Sequence, residues 1–275
     1  MRLRAFLTPW AGYLGKRGFV FPDTSGNPPD YDALAQVMLT PDSETPTEMV
    51  DALHYVHETA RAQDMEELIA EAKAQGVVID DDPQATPIDL AIDVWRVAPD
   101  LVRDRHAEAI ALRQQNFEYF APRRPLKGPL PPLDDARRAQ IEAYLADWFE
   151  AHRRGRGCRL FVFRHPHKTW ILIRHGETMR RESSQGDDGV AGTEFYRPQR
   201  HDVLLYDERS GDIGVHAKTK GERNLYLRAL GHFLFQDEAH FPPADRFSLN
   251  PLVTLGVGAL NVEDIDGIAT VRLVE

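Results

Sequence analysis

Arg159-Leu-Phe-Val-Phe-Arg-His165 and Thr169-Trp-Ile-Leu-Ile-Arg-His175, joined by Pro166-His167-Lys168, decide how this chain folds. Both runs are rich in aromatic and β-branched residues, and the three residues between them are turn formers, so they read as a hairpin. Apolar side chains on both faces of Leu160–Phe163 and Trp170–Ile173 predict an interior hairpin covered on each side. Downstream, Asp202–Tyr206 and Asp212–Lys218 flank Asp207-Glu-Arg-Ser-Gly211 and predict a second hairpin. Residues 176–200, between the two hairpins, read as a long polar loop with Ser183–Gly189 as its tip.

Helical patterning brackets the strands. Ile141, Tyr144, Leu145, Trp148 and Phe149 recur at three- and four-residue spacing and predict one amphipathic helix over Leu133–Arg153. Leu225, Leu227, Leu230, Phe233 and Leu234 do the same over Thr219–Phe235. Leu252–Leu260 and Ile268–Val274 read as two further strands, the last close enough to the final residue that a longer protein is expected. The order predicts an α+β domain with a mainly antiparallel sheet flanked by helices.

Upstream lies Ala121-Pro-Arg-Arg-Pro-Leu-Lys-Gly-Pro-Leu-Pro-Pro132, which can be neither helix nor central strand. It divides a helical domain, 1–120, from the sheet domain, 133–275, with 121–132 as linker. Residues 1–30 read as irregular because prolines and glycines punctuate them. Helices then begin at Asp30, at Thr45 with Pro46 and Glu48, at Asp64 with Glu67, and at Thr86 with Pro87 and Asp89. Another spans Asp100–Gln115. Asn116-Phe-Glu-Tyr-Phe120 is a compact aromatic patch expected to pack the helical part onto the sheet. His54 and His57, three apart on a helix, are expected to face solvent, and Asp80-Asp81-Asp82 to form a solvated turn.

A hydrophobic fraction of 42% is that of a folded protein rather than a disordered one. No apolar run is long enough to span a membrane. With one cysteine, Cys158, no disulfide can form within the chain, so a reducing, cytoplasmic setting is expected. The net charge of -10 is unevenly spread. Residues 1–150 carry a net of -11, residues 151–201 a net of +6, and residues 202–275 a net of -5. A basic segment in an acidic chain marks where an anion would be drawn. Arg153, Arg154, Arg156, Arg164, Lys168, Arg174, Arg180, Arg181, Arg197 and Arg200 are the candidate phosphate-neutralising residues, and Trp170, Phe195 and Tyr196 are the candidates for stacking on bases.

Two patterns in this region carry chemistry. Leu172-Ile-Arg-His-Gly-Glu-Thr178 resembles the signature of the histidine phosphatase (phosphoglycerate mutase-like) family. That resemblance implies a phosphohydrolase in which His175 is phosphorylated and Arg174 holds the phosphate. It covers seven residues, and the second histidine before a glycine that the family uses has no counterpart here.

The second pattern is Asp202 followed by His216-Ala217-Lys218, with a helix before and a helix after. It resembles the PD-(D/E)xK nuclease superfamily in element order over about residues 133–260, and in chemistry at Asp202 and Lys218. The resemblance implies a restriction-endonuclease-like module in which Asp202 and His216 hold a divalent metal and Lys218 orients the attacking water. His216 stands where that family has an acid, a change that suits Zn or Mn better than Mg. Glu142, Glu150 or Asp212 could supply the missing carboxylate.

The expected function is therefore a nucleic-acid (polyanion) binding protein with a nuclease-like α+β domain whose catalysis the sequence leaves open. By analogy, such a domain belongs in a bacterial defence or DNA-processing assembly. The alternatives are an active metal-dependent nuclease, a phosphohydrolase using His175, and a non-catalytic assembly subunit with protein partners.

Overall fold

A computed structural model describes residues 2–23, 27–79, 82–124, 127–186, 189–243, 250–262, 267 and 270–272. The chain forms two compact units, Met1–Ile110 and Ala111–Glu275.

The first unit is helical: α1 (Arg2–Leu7), α2 (Ala11–Lys16), α3 (Tyr31–Leu39), α4 (Thr47–Thr59), α5 (Ala62–Ala74), α6 (Pro87–Val97) and α7 (Pro99–Leu112), which runs into the second unit. The start of the chain, expected to be irregular, holds α1 and α2 with a 3-10 turn, Thr8–Trp10, between them. Pro9 is tolerated because it falls in the first turn of that 3-10 segment, where its missing N–H leaves no bond unmade. Phe6, Leu7 and Leu14 anchor these short helices in one apolar cluster with Val37, Met49 and Ile92. The capping signature at Thr86 is fully formed: Thr86 and Asp89 exchange side-chain and backbone bonds. At α4 the helix begins one residue later than Thr45 would have it, and the Thr45 hydroxyl instead accepts from the Asp42 N–H at 2.8 Å. The α5 helix opens at Ala62, before Asp64. Asp80 and Asp81 lie outside the described residues; Asp82 pairs with Arg2 at 2.9 Å.

The second unit is α+β. It contains β1 (Glu118–Phe120), α8 (Asp135–Ala151), β2 (Cys158–His165), β3 (Lys168–Gly176), β4 (Arg180–Gln185), β5 (Ala191–Tyr196), β6 (Gln199–Asp207), β7 (Ile213–His216) and α9 (Lys220–Phe235). The five-stranded sheet has the order β1-β7-β6-β3-β2, antiparallel throughout. Both predicted hairpins are present. The aromatic patch at 116–120 supplies strand β1, paired with β7, and the proline-rich run contributes Leu130 to the sheet's core.

Strand alternation sorts the sheet into two faces. Leu160, Ile171, Ile173, Leu204, Ile213 and Val215 point to one side, where α8 packs through Ile141, Leu145 and Phe149 and α9 through Leu225, Tyr226 and Leu230. These two helices therefore share one face, whereas the sequence predicted cover on each side. The other face presents Leu172, Val203 and Leu205, with aromatic rings around them.

The stretch expected to be a loop holds the strands β4 and β5, paired as a hairpin, whose residues are exposed on both faces apart from a half-buried Ser184; residues 187–188 of the expected tip lie outside the described residues. Neither face is apolar, so the alternation that betrays a strand is missing from the sequence. Leu252–Leu260, expected to be a strand, is a short helix, α10 (Asn250–Leu255), followed by a 3-10 segment, Gly256–Leu260. Of the final expected strand, residues 270–272 are described and are not in a strand; the rest lies outside the described residues.

Candidate nucleic-acid interface and the network beneath it

The sequence's two motifs meet at one end of the sheet. β3 ends there with His175 and Gly176, β6 begins there with Gln199 and Arg200, and α9 starts there after Thr219. Ile173 pairs with Asp202 and His175 with Arg200, so His175, Arg200 and Asp202 all project toward α8 and α9.

The Asp202 carboxylate is the hub. Its Oδ2 accepts from the Tyr226 hydroxyl at 2.6 Å and from His175 Nε2 at 3.0 Å, and its Oδ1 accepts from Arg200 Nε at 3.1 Å. The side chains of His175 and Asp202 are both 0% exposed. Burial alone would push the Asp202 carboxyl up. The hydrogen bonds from His175 and Tyr226 and the nearby charge outweigh burial and hold it below its ordinary value. Burial and the adjacent Asp202 charge push the Tyr226 phenol well above its own, so it remains a donor. His175 Nδ1 lies 2.9 Å from the Gly176 carbonyl. Both ring nitrogens thus face oxygen atoms of the protein. The ring lies flat against Phe149, with centroids 4.1 Å apart and planes at 12°.

A second acid, Glu222, is also 0% exposed. It closes the α9 capping box with Thr219 and pairs with Arg154, which follows α8. A third, Glu177, receives Arg200 at 3.0 Å, Arg180 at 2.5 Å and Lys218 at 3.5 Å. The hydrogen bonds from Arg200 and Arg180 hold the Glu177 carboxyl down at about 2. Arg200 therefore bridges Asp202 and Glu177, and through it the Arg-His-Gly-Glu-Thr motif joins the Asp202–Lys218 hairpin in one charged network.

Gly176 is required by space. A Cβ there would come within 2.6 Å of both the Arg154 carbonyl and Arg197 Cδ. The Arg197 side chain crosses this glycine to reach the Arg153 carbonyl at 2.5 Å and the Glu177 carbonyl at 3.3 Å. The glycine of the motif makes room for an arginine.

The metal set expected from the sequence is not assembled. Val203, not Asp202, is opposite His216 across β6 and β7, so His216 shares the outer face with Val203 while Asp202 points to the helices. His216 accordingly lies beside Phe117, and its Nδ1 is 2.9 Å from the Asn116 carbonyl. Lys218 meets an acid, but that acid is Glu177. Of the carboxylates considered as substitutes, Glu142 accepts from the Leu160 N–H at 2.8 Å, Glu150 pairs with Arg156, and Asp212 lies at the far end of the β6–β7 hairpin.

Among the described residues, His175, Asp202 and Glu222 do bring potential ligand atoms within 4.8 Å of one another. Those atoms already receive the protons of Tyr226, Arg200, Arg154 and the Thr219 cap. The two guanidinium groups supply the positive charge that a divalent ion would bring, so this donor set does not fit a metal. Neither does it expose a nucleophile, because both nitrogens of His175 are engaged and the ring is enclosed. His54 and His57 are exposed, as expected.

The predicted cations separate into two groups. Arg154, Arg156, Arg180 and Arg200 pair with acids of their own unit. Arg153, Arg164 and Lys168 are exposed, Arg181 donates to the Thr193 hydroxyl at 2.9 Å, and Arg197 is committed to carbonyls. Arg174 is half-buried on the outer face, its guanidinium 5.2 Å from the centre of the Phe161 ring. Phe195 and Tyr196 are exposed on the β4–β5 hairpin, and Trp170 is half-buried on the outer face.

The register reveals what the sequence reading missed. Arg159 pairs with Arg174 and Arg174 with His201, so three basic residues form a row across β2, β3 and β6 on the outer face. The row is visible only once the strands are aligned, since its members lie in three separate strands. Glu222, Tyr226 and Glu177 were also missed as partners of the buried network. Only Glu222 carried a local signal, its capping position after Thr219. The sequence matches no protein-family model and no curated protein.

Proposed function

We propose that this chain binds nucleic acid, or another polyanion of that charge density, through its second unit and does so without catalysing a reaction. One observation carries the reading. Residues 151–175 contain seven arginine and lysine residues and no acid; Arg159, Arg164, Lys168 and Arg174 lie on the strands β2 and β3, and the other three in the turn that joins α8 to β2, where Arg154 and Arg156 are paired. Four cations on two adjacent strands create a surface potential that a phosphate backbone would answer.

The nuclease-like order of elements fits such a role, and the buried Asp202 favours a structural use of the residues that an active nuclease would expose. The enclosed His175 weighs in the same way against a phosphohydrolase. A place in a bacterial defence or DNA-processing assembly rests on the resemblance in element order alone.

The test is binding of a labelled oligonucleotide across a salt series, followed by incubation with Mg, Mn and Zn ions. Affinity should drop at least tenfold between about 50 and 200 mM salt, the signature of counterion release. The oligonucleotide should remain intact with every metal. Salt-independent affinity, or metal-dependent cleavage of the oligonucleotide, would overturn the proposal.

A further inference from the structure

We infer that the outer face of the central sheet is a stacking platform for single-stranded nucleic acid, with phosphates on the Arg159–Arg174–His201 row and bases on the rings beside it. This rests on the polyanion-binding reading and names the form of the ligand and where it lies.

The face is ordered by register. The row of Arg159, Arg174 and His201 crosses three adjacent strands. Directly opposite like charges destabilise a sheet unless something of the other sign compensates them. Arg159 reaches round the edge strand toward Glu142 at 3.5 Å. Arg174 has an aromatic partner, Phe161, and no ion pair among the described residues. A half-buried guanidinium lying over a ring is already held in place, and its fork of donors suits an oxygen-rich anion.

The next two rows supply the apolar part. Phe161 lies beside Leu172 and Val203, and Phe163 beside Trp170 and Leu205. Phe161, Phe163 and Trp170 are all half-buried, so each keeps part of its ring exposed. The ring cluster extends across β7 because Gly214 has no side chain: a Cβ there would lie 3.0 Å from the Tyr119 ring and 3.1 Å from Phe117 Cβ. Phe117 in turn meets Trp170 edge-on, with centroids 5.8 Å apart. A basic row bordering a surface of partly exposed rings suits a flexible strand whose bases can turn onto the rings while its phosphates follow the cations. A stacked duplex keeps its bases inside and offers this face its backbone alone.

Charge complementarity selects the occupant. Among the described residues, Arg159, Lys168 and Arg174 stand on the strands of this face against one acid, Asp207, at its far end, with Glu142 reached by Arg159 only round the edge. An apolar protein segment would leave the Arg174 charge uncompensated beneath it.

The experiment measures binding of the full chain to a single-stranded oligonucleotide, to the duplex of the same sequence, and to polyphosphate, with intrinsic tryptophan fluorescence as a second readout. The single strand is expected to bind most tightly and to quench fluorescence. Trp170→Leu should remove the quenching and weaken single-strand binding by about tenfold, the scale of losing one stacked base, while leaving polyphosphate binding unchanged. Arg174→Gln should weaken all three ligands and lower the salt slope by about one phosphate. Circular dichroism confirms that both variants are folded, and if Trp170→Leu is not, Phe163→Leu is read in its place. Equal affinity for single strand and duplex, with a silent Trp170→Leu, would overturn the platform and leave polyanion binding standing. Absence of binding to all three ligands at low salt would remove the underlying reading as well.

Discussion

The two faces of the central sheet use similar residues to opposite ends. On the helix-covered face, His175, Arg154 and Arg200 lie against Asp202, Glu222 and Glu177, and each charge has its partner within the unit. On the outer face, Arg174 has a ring where its counterparts have carboxylates. Charge that is neutralised internally contributes to one well-defined structure. Charge left over is, in the proposal above, what an outside anion would meet. Residue type says little about which applies; the face of the strand decides it.

Four measurements can break or sharpen this contrast. The largest effect is expected for Asp202→Ala. It removes the common acceptor of His175, Tyr226 and Arg200 and leaves buried donors without partners, so urea denaturation should show a loss of about 3–5 kcal/mol. A loss below about 1 kcal/mol would mean that the carboxylate is not the hub. Gly176→Ala comes next, because its Cβ must displace either Arg197 or the backbone at Arg154, at a cost of about 1–3 kcal/mol. A thermal melt identical to wild type would show that Arg197 does not cross the glycine.

Acid titration probes the helix-covered face. The Glu177 carboxyl is lowered from 4.5 to about 2 in the folded state. The stability it contributes is complete above about 4.5 and is lost as pH falls toward about 2. Asp202, also lowered, acts in the same direction. Stability against pH should therefore decline through this window in the wild type and more gently in Glu177→Gln; parallel acid limbs would refute the pairing. The smallest effect is expected from Arg174→Gln, which should change folding stability by no more than about 0.5 kcal/mol while weakening anion binding. A large loss of stability would assign Arg174 to the core.

Much of the fold was legible. A capping signature placed α6, apolar periodicity placed α9, and apolar runs broken by turn formers placed both hairpins of the central sheet. The failures share a physical cause. The β4–β5 ribbon has no buried face, so its sequence carries no two-residue period. The helices α1 and α2 are six residues each, too short for a helical period to outweigh their glycines and the neighbouring proline. The 252–260 run is apolar without a clear period, a pattern that fits strand and helix equally.

The candidate site was legible in membership but not in arrangement. His175 and Asp202 were both singled out, for two different chemistries, and their contact joins residues 27 apart in sequence. Pairing Asp202 with His216 failed on parity. The β6–β7 register offsets the two by one residue, and one residue is the difference between the faces of a sheet.

The β4–β5 hairpin leaves and returns at a single point. Gly176 and Gln199 are neighbours in the register of β3 and β6, and the Glu177 N–H donates to the Pro198 carbonyl at 2.8 Å just beyond them. Topologically, β3 and β6 are already two arms of one hairpin, closed before the excursion begins. The ribbon is thus an insertion in a completed connection, and its length is set by nothing in the sheet. Loop-closure entropy grows by only about 0.6 kcal/mol for each doubling of such a segment. Beyond Arg180, which serves Glu177, this part of the chain is free to lengthen, shorten or change composition while the sheet, the buried network and the outer face keep their geometry.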